Sequence, residues 1–241
     1  DYYGARVGFD YDSEGRIVRM DIINGYDEHI SYDLTYGDGT ITLSFETEWE
    51  GVLPSYPGTE GTVIGGRNVV EYVATLNSDG MVASYEGSSI FYIDSDGSGD
   101  VYDSSLSIGE MEYADGRLVK MTLTTNYGNE RVYDFQWSGD DISKVSYTLR
   151  GEGLLPVDLY SEITAGELLN DPEMSVDINY LFAGDEVLGS VFGECPFVFM
   201  GLCGERSAHL MSSIRTYDDG AFTRETSYTY DVDGLGRVIG G

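Results

Sequence analysis

Basic residues are scarce in this sequence. Of its 241 residues, 13 are Lys or Arg and 43 are Asp or Glu, which gives a formal net charge of -30. The only lysines are Lys120 and Lys144. Proteins that bind nucleic acid or anionic membrane surfaces neutralise phosphate groups with clustered Lys and Arg. The composition therefore argues against nucleic acid and anionic lipid headgroups as partners.

Long uncharged apolar runs are also missing. The most apolar stretch, residues 181–203, is interrupted by Asp185, Glu186 and Glu194, whereas a membrane-spanning helix needs about 20 predominantly apolar residues. We therefore expect no transmembrane helix. Apolar residues nevertheless make up 41% of the chain and 20 residues are Tyr, so we expect a folded protein and not a disordered acidic tail.

Cysteine and histidine are rare, with two of each. In an oxidising compartment Cys195 and Cys203 would close a short loop, which stabilises a fold by about 2–3 kcal/mol. The alternative is a pair of buried thiols, because spacing alone does not fix the distance between the two Cα atoms. His29 and His209 each lack a second His at ligand spacing, which is typical of surface or packed histidines.

Glycine, in contrast, is abundant, with 32 Gly against 5 Pro. Many of these glycines end short acidic clusters that separate Tyr-rich and Val-rich runs. Asp-Gly between alternating runs indicates a hairpin, because both residues tolerate the positive φ that tight turns require. We therefore predict a chain reversal at each of these clusters, which are residues 12–15, 36–39, 77–80, 94–97, 114–116, 217–220 and 231–234.

The runs between these turns alternate with period two, as half-buried strands do. In residues 17–22 we expect Val18, Met20 and Ile22 to face inward, and residues 118–123 repeat the pattern. An offset of 101 residues aligns the two runs and their surroundings. The sequence is therefore built from a recurring hairpin.

Recurring hairpins predict an all-β protein, an antiparallel meander that forms a strongly curved sheet or closes into a barrel. We interpret residues 1–241 as a single β domain. Within it, residues 9–42 recur at 111–143, and a partial third copy lies at 228–239.

An insert near residues 151–184 breaks the strand pattern, starting at a Gly-Glu-Gly segment. We predict a short helix from Ser175, as N-cap, to Gly184, as the left-handed terminator. An antiparallel sheet with one apolar face needs a cover or closure. The insert is therefore expected to cover the open face of the sheet.

Two segments with the pattern aromatic-x-Tyr-Asp, Phe9–Arg16 and Tyr228–Gly234, resemble the YD hairpin repeats of bacterial Rhs-type shells. The chain also resembles a family of exported lipoproteins of Gram-negative gut anaerobes, which is catalogued as a domain of unknown function with a porin-like fold. Its members open with a Tyr-x-Tyr-Asp-x-x-Gly-Arg hairpin. They carry a central stretch similar to Val176–Leu181 and a small polar segment similar to Arg206–Leu210.

This resemblance implies a porin-like, partly open barrel and an N-terminal lipid anchor on a Cys upstream of Asp1. It also implies export to the outer membrane, on the periplasmic or cell-surface side, with no established activity and no catalytic residues. The sequence begins at Asp1 without Met or a leader, so we expect a mature product whose signal peptide has been removed. Outward charges such as Arg19 and Lys120 argue against a lipid-facing band.

One acidic turn resembles a calcium-binding loop. Asp94, Asp96 and Ser98 occupy the first, third and fifth positions of such a loop, and Asp100 follows them. Position twelve is Ser105, where a bidentate Glu is expected. Calcium at this loop is the only cofactor that the sequence suggests, and the alternative is an acidic hairpin tip like the others.

Carboxylate pairs that could serve a glycosidase also occur. Glu46 with Glu48, and Glu110 with Glu112, lie at i and i+2 on common strand faces. Such pairs are typical of a solvated face in so acidic a chain, and no nucleophile elbow or phosphate-binding loop is present. We therefore expect no enzyme.

Aromatic residues recur in the predicted strands. They either form cross-strand pairs that stabilise the sheet or offer a stacking platform for sugar rings or a peptide. The recurring residues are Tyr32, Tyr36, Tyr133, Trp137, Tyr147, Tyr228 and Tyr230.

From these features we expect a non-catalytic, exported, lipid-anchored β-sheet module that binds a glycan or a protein ligand at the cell envelope. A structural or assembly accessory of envelope proteins is the alternative. A carbohydrate-active enzyme is a further one.

Overall fold

The structure, a computed structural model, describes most of the chain. The described residues are 6–23, 29–52, 63–94, 100–151, 157–171, 176–181, 187–234 and 238–240.

Strands dominate the described residues. The main sheet contains β1 Arg6–Tyr11, β2 Ile17–Ile23, β3 His29–Tyr36, β4 Thr40–Val52, β5 Val63–Leu76, β6 Val82–Asp94, β7 Asp100–Ala114, β8 Arg117–Thr125, β9 Glu130–Ser138, β10 Asp141–Arg150, β11 Val157–Leu169, β12 His209–Asp218 and β13 Ala221–Ser227. Short helices α1 Ile178–Leu181, α2 Leu188–Glu194 and α3 Pro196–Phe199 precede β12, and the ribbon β14 Asp231–Val232 with β15 Val238–Gly240 follows β13.

The thirteen strands form one sheet in sequence order, from β1 to β13. Neighbouring strands are antiparallel in the registers that the structure describes. Among the described residues β1 and β13 do not pair, so the sheet is not closed. The predicted all-β antiparallel meander with a short helical insert is confirmed.

The chain comprises two compact units. The first unit contains residues 1–75 and 85–108, and the second contains residues 76–84 and 109–241. The single β domain over 1–241 stays a prediction. No described helix in either unit is long and apolar enough to pass through a membrane.

The turns follow from the acidic Gly clusters, as predicted. Gly15 and Gly116 both have φ near +79°, a conformation that costs a residue with a Cβ about 1–2 kcal/mol. Turns also separate the strands at residues 36–39, 77–80 and 217–220 and lie between the two ribbon strands. The cluster at 94–97 lies mostly outside the described residues.

At the start of β2, the residue that faces the core is one position earlier than predicted. Met20 is fully buried as expected, but Ile17 is buried while Val18 is half-buried. The register with β1 shifts at the end of that strand. Such a β-bulge leaves one residue without a partner and so changes which side chains face the core.

The repeated hairpin has the same local structure in both copies. An offset of 101 residues maps β2, β3 and the start of β4 onto β8, β9 and β10. In the first copy the Tyr36 hydroxyl donates to the Ile17 carbonyl at 2.9 Å, and in the second the Trp137 indole N–H donates to the Leu118 carbonyl at 3.0 Å. These four residues occupy equivalent positions in the two copies.

An arginine covers the aromatic ring in each copy. Arg16 lies 4.5 Å from the ring centroid of Tyr36, and Arg117 lies 5.0 Å from that of Trp137. We call Arg16 with Tyr36 the first clamp and Arg117 with Trp137 the second clamp. Cation–π contact and an aromatic donor on a strand carbonyl thus fasten both hairpins in the same way.

In the first unit, the ring of Tyr72 lies against Gly87. A Cβ added at Gly87 would approach the ring carbons of Tyr72 to 2.8 Å and the Ser107 hydroxyl to 2.7 Å. The Tyr72 ring also packs edge-on against Tyr85, at a centroid distance of 5.8 Å. The close approach explains why glycine occupies this strand position.

The predicted insert near 151–184 contains a strand in its first part, because Val157–Leu169 pairs with both β10 and β12. The helix α1 lies within the predicted helix, and α2 and α3 lie beyond its predicted end. Ser175 and Gly184, the predicted helix ends, lie outside the described residues. We call residues 176–181 and 187–208 the helical segment.

The helical segment supplies core residues to the second unit. All four residues of α3 are buried, and Phe197 and Phe199 are completely so. Glu194 forms an ion pair with Arg131 of β9. Burial raises the pKa of Glu194, although the nearby Arg131 counteracts this. The segment is therefore held by apolar packing and by a partly buried ion pair.

Buried polar residues connect the helical segment to β12. The Asp177 carboxylate accepts hydrogen bonds from the Asn170 amide at 2.9 Å and from the Asn179 backbone N–H at 3.0 Å. The Asn179 side chain donates to the His209 carbonyl at 3.0 Å and accepts from the Met211 N–H at 2.8 Å. Burial raises the pKa of Asp177 to about 6, because desolvation disfavours the charged carboxylate.

Candidate functional site

Aromatic side chains form a row across the outward face of β10–β13. Lys144, Tyr160, Tyr217 and Phe222 come from four successive strands, and we call them the outer aromatic row. Tyr160 is paired with Tyr217, and Tyr217 with Phe222, in the strand registers. The row therefore runs perpendicular to the strands.

Period-two alternation directs these rings away from the core. Their neighbours Ser161 and Thr216 are buried, and the two hydroxyl groups lie 3.3 Å apart on the opposite face of the sheet. Because successive side chains in a strand point to opposite faces, Tyr160 and Tyr217 face outward. A register shift between β12 and β13 brings Phe222 to the same side.

The rings are in direct contact. Tyr160 and Tyr217 are stacked, with centroids 4.6 Å apart and planes at 11°. Phe222 meets Tyr217 edge-on, at 5.9 Å and 73°. The Lys144 ammonium lies 3.7 Å from the centroid of Tyr160. Both faces of Tyr160 are thus covered, one by Lys144 and the other by Tyr217.

Phe222 is the ring of this row that solvent reaches most. It is 57% exposed and lies on β13, at one end of the strand order. A large exposed apolar ring next to other aromatic side chains is a common feature of binding surfaces. Phe222 is therefore the ring that a ligand can contact, while Tyr160 and Tyr217 hold it in place.

Polar groups border the row. The Tyr217 hydroxyl donates to the Glu162 carboxylate at 3.2 Å, and Arg215 contacts Glu225 at 3.1 Å. Desolvation and then the hydrogen bond to Glu162 raise the pKa of Tyr217, so its hydroxyl remains protonated at neutral pH. The hydrogen bond to Glu225 raises the pKa of Arg215. The border thus presents hydroxyl and carboxylate acceptors beside an apolar ring.

Such a surface suits a ligand with both C–H and O–H groups. The face of an aromatic ring carries negative charge density and attracts weakly positive C–H groups. Carboxylate oxygens accept hydrogen bonds from hydroxyl groups. A sugar ring presents both kinds of group on its surface.

Most of the aromatic residues that the sequence suggested serve the fold. Tyr133 is fully buried and packs against Tyr147, with ring centroids 5.1 Å apart. Tyr36 and Trp137 belong to the two clamps, and the Tyr230 hydroxyl donates to a backbone carbonyl at 2.8 Å. For these residues the structural interpretation, cross-strand packing, is the one that the contacts favour.

Sequence reasoning missed the outer aromatic row itself. Tyr160 lay inside the region interpreted as an insert, and Tyr217 lay inside a predicted turn cluster. A signal was nevertheless present, because Tyr160, Ser161 and Glu162 alternate in the manner of a strand. Contact between residues 160, 217 and 222 depends on strand register, which one sequence does not reveal.

Most of the predicted calcium loop lies outside the described residues. Asp96 and Ser98 lie outside the described residues, and Asp94 and Asp100 are described only as the end of β6 and the start of β7. Calcium binding there stays a prediction. Elsewhere, in the part of the chain that the structure describes, no group of three or more His, Cys, Asp or Glu side chains could hold a metal ion.

The carboxylate pairs lie on the surface. Glu46 forms an ion pair with Arg67 at 3.3 Å, and Glu112 forms one with Lys120 at 3.2 Å. Their pair partners Glu48 and Glu110 are also exposed. These carboxylates sit on open strand faces, as the solvated-face interpretation expects.

The two cysteines and one of the two histidines belong to the second unit. Cys195 and Cys203 are free thiols, and both are buried. Burial raises the pKa of the Cys203 thiol, which lies next to Cys195. The His209 imidazole Nδ1 lies 3.0 Å from the Asp141 carboxylate, so His209 is a partly exposed histidine with a carboxylate partner. The side chain of His29 lies outside the described residues.

Comparisons with known proteins show the fold. No family model matches the chain, and no curated protein matches it. Among solved structures, it is similar to the crystal structure, at 2.32 Å resolution, of a porin-like protein from Bacteroides uniformis ATCC 8492. The TM-score is 0.58 at 14% sequence identity, over 97% of this chain and 80% of the other. The chain therefore has a porin-like fold.

Proposed function

We propose that this protein is an exported, lipid-anchored module of the bacterial envelope that binds a glycan through the outer aromatic row and catalyses no reaction. The observation that carries the proposal is the exposed ring of Phe222, fixed against Tyr217 and bordered by Glu162 and Glu225. Its apolar face and flanking acceptors match the C–H and O–H groups of a sugar ring.

The envelope location is supported by two features. The fold resembles that of a porin-like bacterial protein, and the hairpin motifs resemble those of exported Gram-negative lipoproteins. We propose an N-terminal lipid anchor upstream of Asp1 and a position at the outer membrane, on its periplasmic or cell-surface side. Radiolabelled palmitate incorporated by the full-length protein would test the anchor, and a soluble, unlabelled product would contradict it.

A glycan array tests the binding function. We expect the wild-type chain to bind at least one class of oligosaccharide, and the substitution Phe222→Ala to weaken that binding at least about ten-fold, because the exposed anchor of a site carries much of its affinity. Tyr127→Ala is the matched control, since Tyr127 is an exposed aromatic residue in the turn between β8 and β9, outside the row.

Two results would contradict the proposal. One is a wild-type chain that binds no glycan on a broad array. The other is a Phe222→Ala variant that binds glycan as tightly as the wild type and as the Tyr127→Ala control. Equal melting temperatures of the three proteins would show that any difference comes from the surface and not from unfolding.

We further propose that the loop from Asp94 to Asp100 binds calcium. Its acidic side chains at alternating positions support this. Millimolar calcium is expected to raise the melting temperature of the wild type, because a ligand that binds only the folded state stabilises it. The same shift in Asp96→Asn, or no shift in the wild type, would remove this site.

A protein partner in the envelope is the second candidate function. Leu106 and Ile108 share one face of β7 in the first unit and are 42% and 41% exposed. Paired exposed apolar residues favour a protein contact. The double substitution Leu106→Ser, Ile108→Ser should abolish cross-linking to an envelope protein and leave glycan binding intact. Unchanged cross-linking would reject this surface.

A further inference from the structure

The charges around the outer aromatic row determine which glycans it can take. By strand alternation, Lys144, Arg150 and Arg215 are the cations on the outward face of β10–β13 among the described residues. Arg224 of β13 is also exposed, but it pairs with the buried Thr216 and so lies on the opposite face. Lys144 lies on the Tyr160 ring, Arg150 lies 3.5 Å from Glu130, and Arg215 contacts Glu225. Each of these cations is therefore already engaged by a group of the protein itself.

Carboxylates on the same face are exposed to solvent, although Glu162 accepts a hydrogen bond from Tyr217 and Glu225 is paired with Arg215. Asp134, Asp158, Glu162 and Glu225 are exposed, and Asp158 and Glu162 flank Tyr160 on β11. Beyond the site, the whole chain carries a net charge of -30. A field of one sign acts over about 10 Å at moderate ionic strength. An anionic ligand therefore meets repulsion both on approach and in the site.

From these charges we infer that the row binds uncharged glycans and rejects glycans that carry carboxylate or sulfate groups. This inference rests on the proposed glycan-binding function. An uncharged sugar needs only the Phe222 ring and the acceptors beside it. A sulfated sugar would need a cation, and capturing Arg215 would break its contact with Glu225 and leave that carboxylate next to the ligand.

A matched array tests the inference. Each polysaccharide of an uncharged panel is immobilised in its native form and after chemical sulfation, and the full chain is applied at about 20 mM and about 200 mM NaCl, which differ strongly in screening length. We expect binding to the native forms with little dependence on salt. We expect the sulfated forms to bind at least about ten-fold more weakly at low salt and to gain affinity as salt screens the repulsion.

Charge variants assign the selectivity to the row. Glu225→Gln releases Arg215 and should raise the affinity for sulfated forms several-fold relative to native forms. Glu112→Gln is the matched control, because Glu112 is an exposed, ion-paired carboxylate of the same unit on β7 and leaves the row untouched. Both variants change the net charge by the same amount.

The outcomes separate this inference from the function on which it rests. Absence of binding to native and sulfated panels alike would overturn the proposed function. Sulfated forms that bind as well as or better than native forms would overturn the inference and leave glycan binding standing. Equal behaviour of Glu225→Gln and Glu112→Gln would also overturn it, because the selectivity would then come from net charge and not from the row.

Discussion

The two clamps share their geometry but differ in what surrounds them. In the first unit Arg16 contacts Asp12 and Glu14, both within its own turn, at 2.7 and 3.2 Å. In the second unit Arg117 contacts Asp140 at 2.7 Å and Glu205 at 2.9 Å. Glu205 belongs to the helical segment, 88 residues further along the chain. The second clamp therefore connects a local hairpin to a distant part of the fold.

The aromatic residues differ in the same way. Trp137 and Leu118 line a small pocket together with Asp177, Tyr180 and Arg206 of the helical segment. Tyr36 bonds to its own hairpin through the Ile17 carbonyl. A repeated sequence thus fixes the same local contact twice, while the rest of the chain decides whether that contact also supports a core.

Removing the aromatic ring of each clamp should give the largest difference in stability between the two copies. We expect Trp137→Ala to lower the free energy of unfolding by about 3–4 kcal/mol, since it opens a cavity beneath the helical segment. Tyr36→Ala should cost less, about 1–2 kcal/mol, because its contacts stay within one hairpin. Urea unfolding followed by far-ultraviolet circular dichroism measures both.

Hydrogen exchange with mass spectrometry localises that difference. Trp137→Ala should speed amide exchange in residues 176–181 and 196–203, and Tyr36→Ala should leave these peptides unchanged. Equal exchange in the two variants would show that the second clamp does not support the helical segment.

A change of pH should have the second-largest effect on stability, through Asp177 of the helical segment. Because Asp177 has a pKa raised to about 6, the native state binds its proton more tightly than the unfolded chain. Its stabilising contribution is full below about pH 4 and is lost as the pH rises to about 6, a change of about 3 kcal/mol. Asp177→Asn should remove this component of the pH profile.

The measurement is the difference between the unfolding free energies of wild type and Asp177→Asn from pH 4.5 to 7. Taking the difference cancels the many other carboxylates of the chain. A difference that does not vary over this range would contradict the role given to Asp177. The first unit offers no counterpart among its described residues, so this component belongs to the second clamp's surroundings.

Substitution of the turn glycines should destabilise the two hairpin copies by nearly the same amount. Gly15→Ala and Gly116→Ala each place a Cβ at a φ near +79°, which costs about 1–2 kcal/mol. A Cβ at Gly15 meets nothing within 4 Å, and one at Gly116 meets Glu205 at an ordinary 3.5 Å. Thermal unfolding should give nearly equal losses, and a much larger loss for either would show that its turn bears tertiary strain.

Replacing the arginine of either clamp with Ala should change the stability least. Arg117→Ala is expected to destabilise the protein more than Arg16→Ala, because Arg117 also donates to the Gly139 carbonyl at 2.6 Å and joins two distant segments. Both effects should shrink in high salt, which screens exposed ion pairs. Melting temperatures at low and high salt measure this order, and the reverse order would contradict the comparison.

Local chemistry made much of the fold predictable. Acidic Gly clusters indicated the turns, and the 101-residue offset indicated equivalent hairpins with Met20 and Met121 in their cores. The bulge that buries Ile17 in place of Val18 was not predictable, since a bulge depends on the partner strand. β11 was missed because the Gly-Glu-Gly segment at residues 151–153 was interpreted as the start of an insert without strands.

The candidate site was harder to predict than the fold. Its rings lie at positions 160, 217 and 222, and they meet because of register and a bulge, not because of spacing in the sequence. Tyr133, one of the aromatic residues that the sequence suggested, is completely buried and so does not face a ligand. Composition indicated that aromatic contacts matter, and only pairing between strands decided which of them face outward.

The packing of Tyr72 on Gly87 has a consequence for how this protein can vary. Any side chain at position 87 would collide with the ring, so a larger residue there is tolerated only when position 72 becomes small. The two positions should therefore change together among related sequences. The double substitution Tyr72→Ala, Gly87→Ala should then be less damaging than the sum of the two single substitutions.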